Sequence, residues 1–166
     1  EWFPSWSPVG DRIAFQSDRS GNDDIWVMNV DGSGAYDASH AAGGEYVADF
    51  SPDGKRFYYS NCGGDENQFS CQIWVSSYQN GKWSSPNPLG EIVNEPGTNN
   101  TTPTIAVIEN EEWLIFSSNR EDGKGGMDLY YSIIKNNGNQ FSKIRALNAA
   151  NSPDNDISPF YNADKK

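Results

Sequence analysis

The chain lacks residues and motifs that many enzymes and membrane proteins need. It holds one histidine, His40, in 166 residues, so it cannot supply the several imidazoles of a multi-histidine zinc or manganese site. It contains no Gly-x-Ser-x-Gly elbow, so the hydrolase part of a propeller-bearing serine peptidase is not in this sequence. No apolar run is long enough to cross a membrane. We therefore expect neither an enzyme nor a membrane span.

Positive charge is also scarce. Twelve Lys and Arg residues face 23 Asp and Glu residues, and the resulting net charge of −11 repels nucleic-acid phosphates. The glycine-rich stretch Gly123-Lys124-Gly125-Gly126 lacks the strand–loop–helix context of a phosphate or dinucleotide loop, so we interpret it as a hairpin. Nucleic acid and nucleotides are therefore not expected ligands.

Sustained helical periodicity is absent, and a repeated pattern of strands stands in its place. The pattern fills residues 6–30, 50–75 and 103–131, and its opening returns at residues 156–161. Each full copy has a strand that runs into Ser or Asn, a loop rich in Gly, Asp or Asn, and a strand with a central Trp or Tyr. A period of about 40–50 residues with several short strands indicates a β-propeller.

The repeat predicts an all-β fold made of β-propeller blades, each a four-stranded antiparallel sheet. We align the copies on Ser17, Ser60 and Ser118 and place Asn-Gly or Asp-Gly hairpins after each third strand. The prediction is a single domain over residues 1–166, a partial or open propeller with three full blades and the first strand of a fourth. The predicted blades are residues 1–43, 44–94 and 103–148, with an incomplete one at 156–166.

Three blades and a strand are fewer than a closed propeller needs, since four blades are about the minimum. The chain is a fragment of a propeller of six to eight blades, an open wedge that packs on a partner, or half of a ring made by two chains. We favour the fragment, because the sequence begins and ends within a repeat.

The two cysteines, Cys62 and Cys71, flank one predicted hairpin loop. A hairpin would bring them within reach of a disulfide, and the alternative is a pair of reduced thiols in a cytosolic protein. We favour the disulfide, which indicates an oxidising compartment. The expected location is periplasmic, cell-surface or secreted.

Calcium is the one metal ion for which we identify candidate ligands in the sequence. Asp18, Asn22, Asp23 and Asp24 crowd a loop around Gly21, and hard cations bind several oxygen ligands in flexible loops of this kind. The corresponding loop of the third copy contains Asn119, Asp122 and Asp128. The alternative is that these side chains satisfy their own loop backbone. No other cofactor is expected.

The repeat resembles the TolB-type propeller repeats, a WD-like family with a Pro-Asp turn. The first copy carries the resemblance in Trp6-Ser7-Pro8, Ile13-Ala14-Phe15, Ser17-Asp18-Arg19 and Asp24-Ile25-Trp26-Val27. The later copies resemble envelope proteins of Bacteroidetes-like bacteria, in which such repeats precede an OmpA-like domain. That likeness rests on Gly81-Lys82-Trp83-Ser84, Leu89-Gly90-Glu91-Ile92-Val93-Asn94 and the stretch from Asn119 to Tyr130. The resemblance implies a scaffold of blades and no particular reaction.

The expected function is a non-enzymatic protein–protein or envelope-scaffold binding module. A protein of the cell envelope is the expected partner, and glycan or peptidoglycan is a second one. The candidate binding residues lie in loops between strands: Asp18, Arg19, Asp23, Asp65, Glu66, Arg120 and Lys124. Arg19 and Arg120 occupy matching repeat positions, where an internal ion pair is as good an explanation as ligand contact. The alternatives are part of the propeller of a carbohydrate-active enzyme or peptidase, and a structural component that pairs open blade edges between chains.

Overall fold

The computed structural model describes residues 1–39, 43–63 and 70–162, which form three antiparallel sheets that we call blades 1, 2 and 3. Blade 1 contains β1 Trp2–Trp6, β2 Arg12–Ser17, β3 Asp24–Asn29 and β4 Tyr36–Asp37. Blade 2 contains β5 Gly44–Phe50, β6 Arg56–Gly63, β7 Ser70–Gln79, β8 Lys82–Trp83 and β9 Asn87–Pro88. Blade 3 contains β10 Asn100–Ile108, β11 Glu111–Ser118, β12 Asp128–Lys135, β13 Gln140–Phe141 and β14 Arg145–Ala146, with a 3₁₀ turn at Asn136–Gly138. The all-β prediction of propeller blades is confirmed.

The fourth strand of the blade differs from the prediction in blades 2 and 3. It is split into two pieces of two residues, and both pieces pair with the third strand of the blade. In blade 2 the break contains Pro86, which has no amide hydrogen to donate to a ladder. The outer edge of each blade is therefore short.

The opening of the fourth copy, residues 156–162, contains no strand. The segment lies against β10, where the Tyr161 hydroxyl donates to the Val107 carbonyl at 2.9 Å and the Ser158 amide donates to Thr102 Oγ1 at 3.3 Å. The described residues offer it no second strand to form a ladder with, so the predicted first strand of a fourth blade stays unpaired.

A face of a blade's central strands is buried where another blade covers it, so among the three described blades only the middle one is covered on both faces. Phe57 and Tyr59 of β6 pack towards blade 1, against Ala14, Ile25 and Val27. Tyr58, between them on the same strand, packs towards blade 3. Successive side chains of a strand point to opposite faces, so one strand supplies both cores. Fully burying a phenylalanine such as Phe57 stabilises the fold by about 1.5–3 kcal/mol.

The strand register corrects the sequence alignment in the second copy. Ser17 lies opposite Asp24, and Ser118 lies opposite Asp128, at the same repeat position. In blade 2 that position is Asn61, which lies opposite Gln72, so Ser60 is not the equivalent serine. A slip of one residue turns every side chain of a strand to the other face, and Ser60 would place Tyr58 in the wrong core.

The disulfide is confirmed. Cys62 and Cys71 lie opposite each other in the β6–β7 ladder, with 4.1 Å between their Cα atoms, and both side chains are buried. Among the described residues, no helix has the length and apolar character that a membrane span requires.

We expect the variant with Cys62→Ser and Cys71→Ser to lose about 2.7 kcal/mol of the free energy of unfolding, because the bond no longer restricts the unfolded chain. Urea denaturation with and without dithiothreitol measures the loss. The reductant should destabilise the wild type by a similar amount and leave the double variant unchanged. A wild type that is indifferent to the reductant would contradict the prediction.

Candidate functional site

The first strands of the three blades converge and line a groove of about 470 Å³ at the inner side of the blades. The last described segment closes one side of this axial groove through Pro159, Phe160 and Tyr161. Each of the four repeat copies contributes at least one proline to the lining: Pro4, Pro8, Pro52, Pro103 and Pro159. The groove is therefore built from the same part of every repeat.

A left-handed backbone conformation recurs at one position of all four copies. The φ angles are 48° at Phe3, 46° at Val47, 49° at Thr102 and 57° at Ser158. In β1, β5 and β10 the pairing with the next strand shifts register around this residue. A bulky or β-branched residue adopts this conformation at a cost of order 1–3 kcal/mol, so the surrounding structure must impose it. The bend turns the following side chains towards the groove.

A single carboxylate, Asp49 of β5, joins the three blades at the groove. Its Oδ1 accepts from the Ser5 hydroxyl at 3.2 Å and from the Phe50 amide at 2.9 Å. Its Oδ2 accepts from the Thr104 hydroxyl and the Ile105 amide, both at 2.8 Å. Burial raises the pKa of Asp49, and these hydrogen bonds oppose that rise because they favour the charged form. Asp49 is a structural hub that fixes the groove.

The groove presents apolar side chains to solvent. Phe160 is 86% exposed and Phe3 is 57% exposed, and both line it. The sequence analysis placed the binding residues in loops and missed this groove. One sequence signal marks it, since proline follows the left-handed residue in three of the four copies. A residue before proline is disfavoured in the right-handed helical region.

The predicted basic residues are engaged in internal contacts. Arg120 is 7% exposed in its side chain, pairs with Glu95 at 3.4 Å and donates to the carbonyl of Val93 and to Asn100 Oδ1. Arg19 contacts Glu1 at 2.5 Å, and its guanidinium lies 4.7 Å from the centre of the Trp26 ring. Arg19 and Arg120 therefore both form an internal ion pair, which the sequence analysis gave as the alternative to ligand contact.

Lys124 is likewise engaged, because its Nζ donates to the carbonyls of Asn148 at 2.6 Å and Asn151 at 3.0 Å. Asp18 is exposed and Asp23 is partly exposed in the β2–β3 loop of blade 1. The candidates Asp65 and Glu66, and the histidine His40, lie outside the described residues.

The calcium candidates lie in two separate blades. In blade 1, Asp24 is buried and accepts from the Ser20 hydroxyl and from Asn22 Nδ2, which also donates to the Gly43 carbonyl. In blade 3, Asp122 accepts from the Tyr130 hydroxyl at 3.0 Å. Within the described ranges, no group of three or more His, Cys, Asp or Glu side chains is arranged to hold a metal ion. The calcium site stays a prediction.

A buried acid that the sequence analysis missed lies at the junction of blades 1 and 2. Glu45 of β5 is fully buried and accepts from the Ser39 hydroxyl at 3.2 Å and from Asn61 Nδ2 at 2.5 Å. Burial, followed by its hydrogen bond and charge interaction with Asp24, raises the pKa of Glu45 to about 9. Glu45 is therefore neutral at pH 7 and can donate its proton to Asp24.

No protein-family model matches the sequence. No curated protein matches it either.

Solved structures do match the fold. TolB from Acinetobacter baumannii superposes with a TM-score of 0.61 at 21% identity, over 89% of this chain and 32% of that one. A putative TolB from Agrobacterium tumefaciens gives 0.59 at 20% identity, over 86% of this chain and 47% of that one. The AtxE2 isopeptidase gives 0.53 at 15% identity, over 87% and 28%. This chain thus spans about a third to a half of the TolB chains, and its blades have the TolB-type propeller fold.

Proposed function

We propose that this chain is a non-enzymatic binding module of the bacterial cell envelope, and that its axial groove binds an extended apolar segment of a partner protein. The exposed aromatic rings of Phe3 and Phe160 at a proline-lined groove are the observation that carries the proposal. Exposed apolar surface in a concave, pre-formed site is typical of protein interaction.

The blade edges favour docking in the groove over strand pairing between chains. The inner edges belong to β1, β5 and β10, which all have a register shift, and two of these strands contain a proline. The outer edges consist of strands of two residues. Bulges, prolines and short strands all hinder the addition of a further strand. The assembly alternative is therefore disfavoured.

The envelope location rests on the disulfide, because such bonds persist in oxidising compartments. An adjacent OmpA-like domain belongs to the same proposal and rests on the sequence motifs of the second and third copies. The likeness to an isopeptidase in fold keeps a second candidate, in which these blades are the propeller of a peptidase and the groove admits its substrate.

Selection from a displayed random-peptide library tests the groove. We expect enriched peptides that are rich in apolar residues, and about tenfold weaker binding for each aromatic ring removed by Phe3→Ala or Phe160→Ala. The matched control is Val30→Ala with Ile92→Ala, which removes two residues that are 50% and 47% exposed and do not line the groove.

The control variant should bind like the wild type. Failure to enrich any peptide, or equal binding by the aromatic and control variants, would refute the groove. Mass spectrometry of the peptides after incubation with the product of the full-length gene separates the two candidates, because this chain has no Gly-x-Ser-x-Gly elbow and cleavage would come from a hydrolase domain outside it.

A further inference from the structure

A second cleft, of about 590 Å³, lies between the outer strands of blades 1 and 2. One wall is formed by Tyr36 and Asp37 of β4, and the other by Tyr78 and the residues that follow the Asn80–Gly81 turn. Both turn residues have positive φ, 52° and 81°, as a two-residue hairpin with the twist of its strands requires. The turn therefore places Trp83 opposite Tyr78, and Lys82 opposite Gln79. This outer cleft is separate from the axial groove and is independent of the proposed function.

Three aromatic side chains line the outer cleft. The rings of Tyr78 and Trp83 lie 5.2 Å apart, and Tyr36 on the opposite wall is 40% exposed. Trp83 also packs on the buried ring of Phe57 at 4.7 Å, which fixes its orientation. Small-molecule sites combine such rigid aromatic surfaces with a few polar groups.

The polar groups of the outer cleft favour an anionic acceptor. The guanidinium of Arg12 lies 4.2 Å from the centre of the Tyr78 ring, and its Nε contacts Asp11 at 3.2 Å. Arg12 Nη1 and Trp83 Nε1 are buried donors without a hydrogen-bond partner among the described residues. An unsatisfied buried donor destabilises the free protein, and an acceptor on a ligand would satisfy it.

The charges around these donors nearly balance. Arg12 and Lys82 line the outer cleft with the carboxylate of Asp37, and the carboxylate of Asp11 contacts Arg12 Nε. Arg12 Nη1 has no hydrogen-bond partner among the described residues, and arginine is suited to carboxylates.

We propose that the outer cleft binds a saccharide that carries a carboxylate, such as a uronic acid unit. The apolar face of the sugar ring lies on Tyr36, Tyr78 and Trp83, and the carboxylate lies towards Arg12. Ser84, Ser85 and Asp37 surround these rings with groups that hydrogen-bond to sugar hydroxyls.

Calorimetric titration with three probes tests the outer cleft. Cellobiouronic acid carries the sugar ring and the carboxylate, cellobiose carries the ring alone, and acetate carries the carboxylate alone. We expect cellobiouronic acid to bind at least tenfold more tightly than either of the others. Equal binding of cellobiose would overturn the role of Arg12, and no binding of cellobiouronic acid would overturn the site.

Variants locate the binding. Tyr36→Ala and Lys82→Gln change exposed side chains, so both proteins should fold, and each should weaken the binding of cellobiouronic acid about fivefold to tenfold. The matched control Phe160→Ala removes an exposed ring of the axial groove and should bind like the wild type. Unchanged affinity in both cleft variants would refute the location, and tighter binding of an acidic tripeptide would refute the saccharide.

Discussion

Replacing Glu45 with glutamine is expected to abolish most of the decrease in the free energy of unfolding that the wild type undergoes as the pH rises from about 5 to 9. Glu45 is fully buried, and its pKa is raised from 4.5 to about 9, first by burial and then by Asp24. The folded state keeps the proton over this range, while the unfolded state releases it. Stability from this group is therefore complete below about pH 4.5 and is lost as the pH rises through 9, by at most about 1.4 kcal/mol per pH unit.

Glutamine suits the site because it is neutral at every pH. Its amide oxygen can take the place of Oε1 and accept from Asn61, and its amide nitrogen then takes the place of Oε2 and can donate to the Ser39 hydroxyl and towards Asp24. The variant and the wild type should have similar free energies of unfolding at pH 5. At pH 8 the variant should be more stable by several kcal/mol.

Urea denaturation at pH 5, 6, 7, 8 and 9 measures this difference. The control is Glu111→Gln, which changes an exposed glutamate of β11 and should leave the pH profile of the wild type intact. If the free energies of unfolding of the wild type and of Glu45→Gln change in parallel with pH, then Glu45 is not the group that keeps its proton in the folded state.

The substitution Asp49→Ala should lower the free energy of unfolding by about 3 kcal/mol, because it leaves four donors from three blades without their shared acceptor. Asp49→Asn should cost less, since it keeps one oxygen but presents an NH₂ group to donors. Hydrogen exchange adds a local measurement. The amide of Ile105, which donates to Asp49, should exchange faster in Asp49→Ala than neighbouring amides do.

The control for Asp49 is Asp18→Ala, which removes an exposed carboxylate from a loop of blade 1. Its effect should stay within about 0.5 kcal/mol of zero, as for most surface substitutions. A loss for Asp49→Ala no greater than that of the control would mean that the blades do not depend on this carboxylate. Asp49 would then not be the structural hub of the axial groove.

The blades were predictable from the sequence because their signals are local. The period of the repeat, the alternation of apolar residues and the turns at Asn80–Gly81 and Asn137–Gly138 each act within a few residues of chain. The disulfide was predictable for the same reason, because one hairpin brings Cys62 and Cys71 together. Ser60 misled the alignment because residue identity does not reveal a register that the opposite strand sets.

The candidate site was not predictable in this way. The sequence does not distinguish Asp49 from the many surface acids. Its role depends on contacts with Ser5 and Ile105, which are distant in the chain. Glu45 lies opposite Asn61 at the blade junction, and only that packing removes it from water. Arg120 is a predicted binding residue, and only the structure shows that it contacts Val93 and Glu95 in the connection between blades 2 and 3, and Asn100 where that connection enters β10.

The sequence by itself determined the architecture of this protein, because secondary structure and hairpin closure depend on neighbours in the chain. Its tertiary structure alone decided which carboxyls are buried, which cations are free and where a ligand can lie. Those properties arise where three blades meet, and burial and electrostatics there depend on residues from different repeats. The same repeat that encodes each blade therefore says little about the axial groove and the outer cleft that lie between blades.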